Sequence, residues 1–203
     1  MFTGIVQGKG KIIAKEQKSD DFLSYVVELP ETLSQNLKIG ASIANNGCCL
    51  TITEVSGSRV RFDLMRETLS KTNLGCLNIG DEVNIERAAK MGDEIGGHLM
   101  SGHIVAKTQL CHIEANAHNK TLWFKLPENL QAYVLEKGFI GLDGCSLTIG
   151  EVKNDSFCVH LIPETLQKTL FGQRQVGDWI NVEIDAQTQA IVDTVQRVLK
   201  QKH

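Results

Sequence analysis

The sequence predicts an all-β protein of two similar domains, each a closed barrel or a sandwich, followed by one helix. Three observations predict it. First, the chain contains itself twice. Residues 46–87 align without a gap with residues 143–184 at an offset of 97, and roughly 18 of the 42 positions are identical, which chance does not give. Phe2-Thr3-Gly4-Ile5-Val6 is echoed by Met100-Ser101-Gly102-His103-Ile104 at an offset of 98, so one residue has slipped between the matched blocks. Second, short β-branched segments recur at even spacing, separated by Gly and Asp, as in barrels and sandwiches. Third, the last residues carry apolar side chains at helical spacing and have no partner in the first half.

Along the chain, strands are expected over 5–14 and 23–29, a short helix over 30–37, and a strand over 42–45. The run Leu50-Thr51-Ile52-Thr53-Glu54-Val55, the turn Ser56-Gly57-Ser58 and the alternating Arg59-Val60-Arg61-Phe62-Asp63-Leu64 form a hairpin signature. A short helix over 67–71 and a strand over 82–86 complete the first half. The second half repeats the hairpin as 147–152, a turn at Lys153-Asn154-Asp155, and 157–162, with short helices over 127–135 and 164–169. Residues 88–97 join the halves; Gly92, Gly96 and Gly97 mark them as irregular, and the segment is too short for a free tether. In 188–202, Ile191, Val195, Val198 and Leu199 share one helix face. That helix either docks on its own barrel or packs against copies of itself. The expected boundaries are 1–97, 98–187 and 188–203.

Two domains suit a chain of 203 residues, since halves of about 95 residues can each bury a core. The formal net charge of -3 and the 5% aromatic content argue against a phosphate-backbone binder, which needs a basic face with stacking rings. No apolar run is long enough to span a membrane. The first residues lack a secretory-signal pattern, so a cytoplasmic location is expected. The six cysteines, Cys48, Cys49, Cys76, Cys111, Cys145 and Cys158, are read as free thiols of a reducing compartment. His98 and His103 stand five apart without a second ligand pair, so no metal is expected.

Identical positions in the repeat read most simply as fold: Gly47 and Gly144 as turn residues, Leu50 and Leu147 as core, Glu67-Thr68 and Glu164-Thr165 as first-turn acids and caps. The differences carry more chemistry. Cys49 aligns with Ser146, Ile5 with His103, and Asp63 with His160. Two pockets on one plan would thus hold different reactive groups, as an enzyme that treats two ligands differently requires. No G-x-S-x-G elbow, phosphate loop or G-x-G-x-x-G occurs, so a serine hydrolase or nucleotide-binding reading lacks support.

Four segments carry a resemblance. These are Met1-Phe2-Thr3-Gly4-Ile5-Val6, Asn46-Gly47-Cys48-Cys49-Leu50-Thr51, Gly96-Gly97-His98-Leu99-Met100-Ser101-Gly102-His103 and Asp143-Gly144-Cys145-Ser146-Leu147-Thr148. The chain resembles, over its whole length, the riboflavin synthases of the α-chain type. The resemblance implies that each half is a six-stranded Greek-key barrel binding one 6,7-dimethyl-8-ribityllumazine. A four-carbon unit would pass from one lumazine to the other, giving riboflavin and 5-amino-6-ribitylaminouracil without metal or organic cofactor. It further implies a homotrimer held by the C-terminal helices, sites between the N-barrel of one subunit and the C-barrel of its neighbour, and an association with lumazine synthase.

Carried over by motif, the N-half ligand would contact Gly4, Ile5 and Val6, then Cys49, Leu50 and Thr51, then Asp63, Leu64, Met65, Arg66, Glu67 and Thr68. The C-half ligand would contact Gly102, His103 and Ile104, then Ser146, Leu147 and Thr148, then His160, Leu161, Ile162, Pro163, Glu164 and Thr165. Lys137 would reach a ligand from a neighbouring chain. Ser146 and His103 are the expected proton-transfer or nucleophile-activating pair, with Cys49, Thr148 and Asp185 in support and Phe2 and Thr3 near the ligand. Two other functions fit parts of the pattern: an antenna protein that binds lumazine or flavin without converting it, and a small-barrel oligonucleotide binder, which the acidic charge disfavours.

Overall fold

The computed structural model describes residues 1–116 and 119–201; residues 202 and 203, the end of the expected helical segment, lie outside them. The first half folds as β1 (Gly8–Ser19), β2 (Phe22–Glu28), α1 (Glu31–Ser34), β3 (Ser42–Asn45), β4 (Cys48–Ser56), β5 (Arg59–Met65), α2 (Arg66–Lys71) and β6 (Glu82–Arg87). The second folds as β7 (Ala106–Ala115), β8 (Lys120–Lys125), β9 (Phe139–Leu142), β10 (Cys145–Val152), β11 (Ser156–Leu161), α3 (Pro163–Lys168) and β12 (Trp179–Ile184), followed by α4 (Ala186–Lys200).

Each half is a closed antiparallel six-stranded barrel. The strands run round as β1-β2-β5-β4-β3-β6 in one and as β7-β8-β11-β10-β9-β12 in the other, which is the same order. Closure leaves no free sheet edge. The irregularities are duplicated as well. A register shift between Ile12 and Ala14 on β1 recurs between Leu110 and His112 on β7, and the Ile52/Glu54 shift on β4 recurs between Ile149 and Val152 on β10. Such bulges bend strands around small barrels. Inward residues alternate along the strands to build two cores, one around Tyr25, Phe62 and Leu64, the other around Phe124, Phe157 and Phe171.

Three local expectations change. Residues 30–37 hold only the four-residue α1, with no side-chain cap hydrogen bond and an extended Gln35 after it. Residues 127–135 hold only a 3₁₀ turn, Glu128–Leu130, again without a side-chain cap. So short a helix cannot repay its nucleation alone. The strand expected from residue 5 begins at Gly8, because residues 1–7 leave their own barrel.

The barrels meet about a two-fold relation. Gly47 and Gly144 pack back to back, and a Cβ on Gly47 would lie 2.6 Å from the Gly144 nitrogen. Around them a buried amide network obeys the repeat. Asn84 Nδ2 donates to the Asp143 carbonyl and Asn181 Nδ2 to the Asn46 carbonyl, both at 2.9 Å. Asn84 Oδ1 accepts from Leu170 N and Asn181 Oδ1 from Asn73 N. These residues are essentially inaccessible, so the reciprocal bonds satisfy groups that would otherwise cost free energy. The symmetry breaks at Asp143, which faces Arg174 at 2.5 Å, whereas its counterpart Asn46 carries no charge.

The reading of α4 as a helix docked on its own barrel fails. None of its residues is buried, and Ile191, Val195, Val198 and Leu199 are roughly half exposed or more. Tyr133 reaches it with a hydrogen bond to Asp193, and the apolar stripe faces away.

Candidate active site

The site is built by two crossing segments. Phe2 and Met100 exchange both backbone hydrogen bonds, at 2.8 and 2.9 Å, so the chain start and the linker run antiparallel between the barrels. A glutamate fixes each. Glu86 accepts from Thr3 N, Thr3 Oγ1 and Gly4 N. Its counterpart Glu183 accepts from Ser101 N, Ser101 Oγ and Gly102 N. Burial raises both carboxyl pKa values above the ordinary range, partly offset by these donors.

Beyond the crossing, each segment serves the opposite barrel. The Gly4 carbonyl accepts from Ser146 N at 2.8 Å, and Val6 enters the C-barrel core. The Gly102 carbonyl accepts from Cys49 N at 2.9 Å, and Ile104 packs against the N-barrel core. This corrects the expected ligand sets. Gly4, Ile5 and Val6 line a C-barrel pocket of about 210 Å³ with Cys145, Ser146, Leu147, Glu164, Thr165, Lys168 and Thr169. Gly102, His103 and Ile104 line an N-barrel pocket of about 220 Å³ with Cys48, Cys49, Glu67, Thr68, Lys71 and Thr72. The exchange follows from the antiparallel bridge, which sends each segment across the two-fold.

Ser146 and His103 therefore do not form a pair within one chain. His103 is exposed beside Cys49, in the other pocket. The imidazole beside Ser146 is His98, with Nδ1 2.7 Å from Oγ. His98 is 7% exposed, and burial pulls its pKa below the usual value against the opposing pull of Asp185. It also lines a larger cavity of about 590 Å³ with Met1, Leu99, Phe139 and Asp185. In the sequence, His98 stands as a poor zinc candidate and as a member of the Gly96–His103 segment, with no role of its own assigned to it. Its place next to Gly96-Gly97, outside both copies of the repeat, was the available signal.

The remaining expected residues divide by the pleat. Leu50, Leu64 and Leu161 point into the barrels and can offer a ligand only their backbone. Leu147 is half-buried against the C-barrel core. Thr51 and Thr148 are exposed on the outer faces. So are Met65 and Ile162, two apolar side chains at matching positions, 67% and 61% exposed. Asp63 accepts from Ser24 Oγ, and at the same place on the other barrel His160 Nδ1 meets Thr121 Oγ1 at 3.0 Å. His160 thus stands on the outer face and does not line the C-barrel pocket. Arg66 and Pro163 begin α2 and α3, which carry the pairs Lys71–Glu67 and Lys168–Glu164, both at 2.8 Å. The Glu67 carboxyl is lowered by Lys71.

Phe2 and Thr3 are 1% and 8% exposed. Phe2 packs with Ala44 and Met100 between the barrels and shapes the site from behind; Thr3 is held by Glu86 and lines, with Ile5, Glu86 and Arg87, a cavity of about 710 Å³. Asp185 is the N-cap of α4. Burial raises its pKa, but bonds from Thr188 N and Oγ1 outweigh this and leave it low. That carboxylate is already engaged. Lys137 sits on an exposed turn with φ 66°, where the repeat has Gly40 at φ 86°. A left-handed residue with a Cβ is held there at a cost its counterpart avoids. Among the described residues, no group of three or more His, Cys, Asp or Glu side chains is arranged to hold a metal ion.

Each pocket alone is smaller than the roughly 300–1,000 Å³ of sites that bury a drug-sized ligand. Each is an open half-site with one apolar wall, one helix-borne carboxylate and hydroxyl, and one nucleophile-bearing strand.

The family model for the lumazine binding domain matches residues 3–88 and again 101–185. Riboflavin synthase of Escherichia coli (strain K12) is 56% identical over 200 residues, covering 98% of this chain and 93% of that protein. Riboflavin synthase of Buchnera aphidicola subsp. Schizaphis graminum is 47% identical over 201 residues, covering 98% and 96%. The crystal structure of LumP complexed with riboflavin is similar, with a TM-score of 0.84 at 28% identity, covering 91% of this chain and 100% of that one. The LumP structure complexed with 6,7-dimethyl-8-(1'-D-ribityl) lumazine has a TM-score of 0.82 at 27% identity, covering 90% and 98%.

Proposed function

Because the chain belongs to the riboflavin synthase family of tandem lumazine-binding proteins, we propose that its two half-sites each hold one 6,7-dimethyl-8-ribityllumazine. The protein is an enzyme, a transferase. It moves a four-carbon unit from one lumazine to the other and releases riboflavin and 5-amino-6-ribitylaminouracil. One observation supports this above the others: two half-pockets of nearly equal volume share one plan and differ in their reactive groups. Two identical substrates need two similar cradles. A dismutation needs those cradles to act differently.

The strand backbones at Leu50, Thr51, Leu147 and Thr148 meet the uracil-like edge of each ring. Glu67 with Thr68, and Glu164 with Thr165, take the ribityl chains. The acid–base groups are Cys49 and His103 on the N-barrel and Ser146 on the C-barrel. The 7-methyl group of a lumazine is acidic, because its carbanion delocalises into the ring. General acid–base assistance there is worth about 10²–10⁴-fold. Holding two dilute heterocycles face to face supplies up to roughly 7–11 kcal/mol.

Since each half-site is open, catalysis joins the N-barrel of one subunit to the C-barrel of another, which brings His103 toward a neighbour's Ser146. Lys137 reaches across the same junction. The assembly is a homotrimer held by the exposed stripe of α4, and the segments 1–97, 98–187 and 188–203 act as N-barrel, C-barrel and assembly units. The protein works in the cytoplasm and associates with lumazine synthase, which co-elution of the two purified proteins tests.

The deciding experiment mixes purified protein with the lumazine and follows absorbance and products. Two lumazines should vanish for each riboflavin formed. Bound but unchanged lumazine would instead favour the antenna reading.

A further inference from the structure

We propose that His98 is a positioning residue of the C-barrel half-site, fixing the Ser146 hydroxyl against the bound heterocycle. This rests on the lumazine reading of that pocket.

The geometry is specific. Ser146 lines the pocket, and its Oγ lies 2.7 Å from His98 Nδ1. A hydroxyl has one donor and two acceptor sites. The bond to His98 uses one and leaves the others to the ligand, with the side chain locked in one rotamer. The imidazole is itself locked: it is 7% exposed and stacks on Phe139, with ring centroids 5.1 Å apart and planes at 18°. The backbone that delivers it passes so close that a Cβ on Gly97 would lie 2.5 Å from Ser146 Cβ. Only glycine there lets the chain lie across Ser146. Nε2 is buried without a hydrogen-bond partner among the described residues.

The pairing is particular to one pocket. His98 falls between the matched blocks of the repeat, while Ser146 and Cys49 are counterparts within it. Duplication therefore supplied the hydroxyl position, and the linker supplied its orienting imidazole. The polar groups of the half-sites then differ in kind: a half-buried, oriented serine on one side, a thiol with an exposed histidine on the other.

The test is a double-mutant cycle on lumazine turnover. His98→Ala should lower kcat about tenfold or more while KM changes less than roughly threefold. His98→Asn keeps a hydrogen-bonding atom near the Nδ1 position and should recover part of the loss, whereas His98→Gln should not. In a Ser146→Ala background, His98→Ala should have no further effect. Additive losses in the cycle, or a Ser146→Ala variant with wild-type turnover, would overturn the proposal. If the His98 variants fail to fold, imidazole ¹⁵N spectra of the otherwise native chain decide. Ser146→Ala should move the His98 Nδ1 resonance and leave Nε2 nearly unchanged; an unmoved Nδ1 refutes the contact. Absence of riboflavin formation by the native protein would sink the functional reading instead, and the spectra would still test the pair.

Discussion

Gly4 lies in the first half of the chain but should protect the second barrel, and Gly102 should do the reverse. Both residues are left-handed, at φ 76° and 80°. An alanine at either costs about 1–2 kcal/mol in that backbone region. A Cβ on Gly4 would also lie 2.5 Å from Ser146 Cβ and 2.8 Å from Ser146 N. The segment must lift, and the Ser146 N–Gly4 O bond goes with it, about another 1 kcal/mol. The sum is about 2 kcal/mol or more, so the Ser146 amide should exchange with solvent at least roughly thirtyfold faster. A Cβ on Gly102 would meet Cys49 Cβ at 2.5 Å and Cys49 N at 2.9 Å, so Gly102→Ala should expose the Cys49 amide similarly. Hydrogen–deuterium exchange read on peptides around residues 145–148 and 48–51 separates the two. If Gly4→Ala accelerated 48–51 and spared 145–148, the crossed connection would be wrong.

Other consequences can be measured independently. Arg174→Met strands the buried Asp143 carboxylate and should cost about 3 kcal/mol in urea unfolding. Restoring the pattern of the first half with Asp143→Asn and Arg174→Leu together should recover most of it, and a cost below about 1 kcal/mol for the single variant would refute the pairing. Truncation before residue 186 should give monomers with folded barrels by light scattering, because it removes the exposed apolar stripe; a truncated trimer would move the assembly interface elsewhere. His98 is neutral when folded and has a lowered pKa, which Asp185 opposes. Its contribution to stability is present above about pH 6.5 and is lost as pH falls through the folded value. His98→Asn should flatten that acid-side decline, and identical pH profiles would argue that the ring is not buried as neutral imidazole.

The sequence by itself determined two duplicated all-β domains. Alternation, turn residues and an exact-offset repeat are local signals, and β3 to β6, β10 and β11 appear where those signals stand; they left a closed barrel and a sandwich both open, and the barrel came from the resemblance. It also determined which side chains differ between the half-sites, since Cys49 against Ser146 is read from alignment alone. Only the tertiary structure decided how these are shared out. Residues 2–6 and 100–104 look like the first strands of their own halves. Whether each caps its own barrel or the other depends on the Phe2–Met100 bridge and on how the barrels meet at Gly47 and Gly144. Those contacts join residues about a hundred positions apart, and no periodicity encodes them. His98 was hidden for the same reason: its partner Ser146 is brought to it by the fold, across a close approach that glycine permits but does not announce.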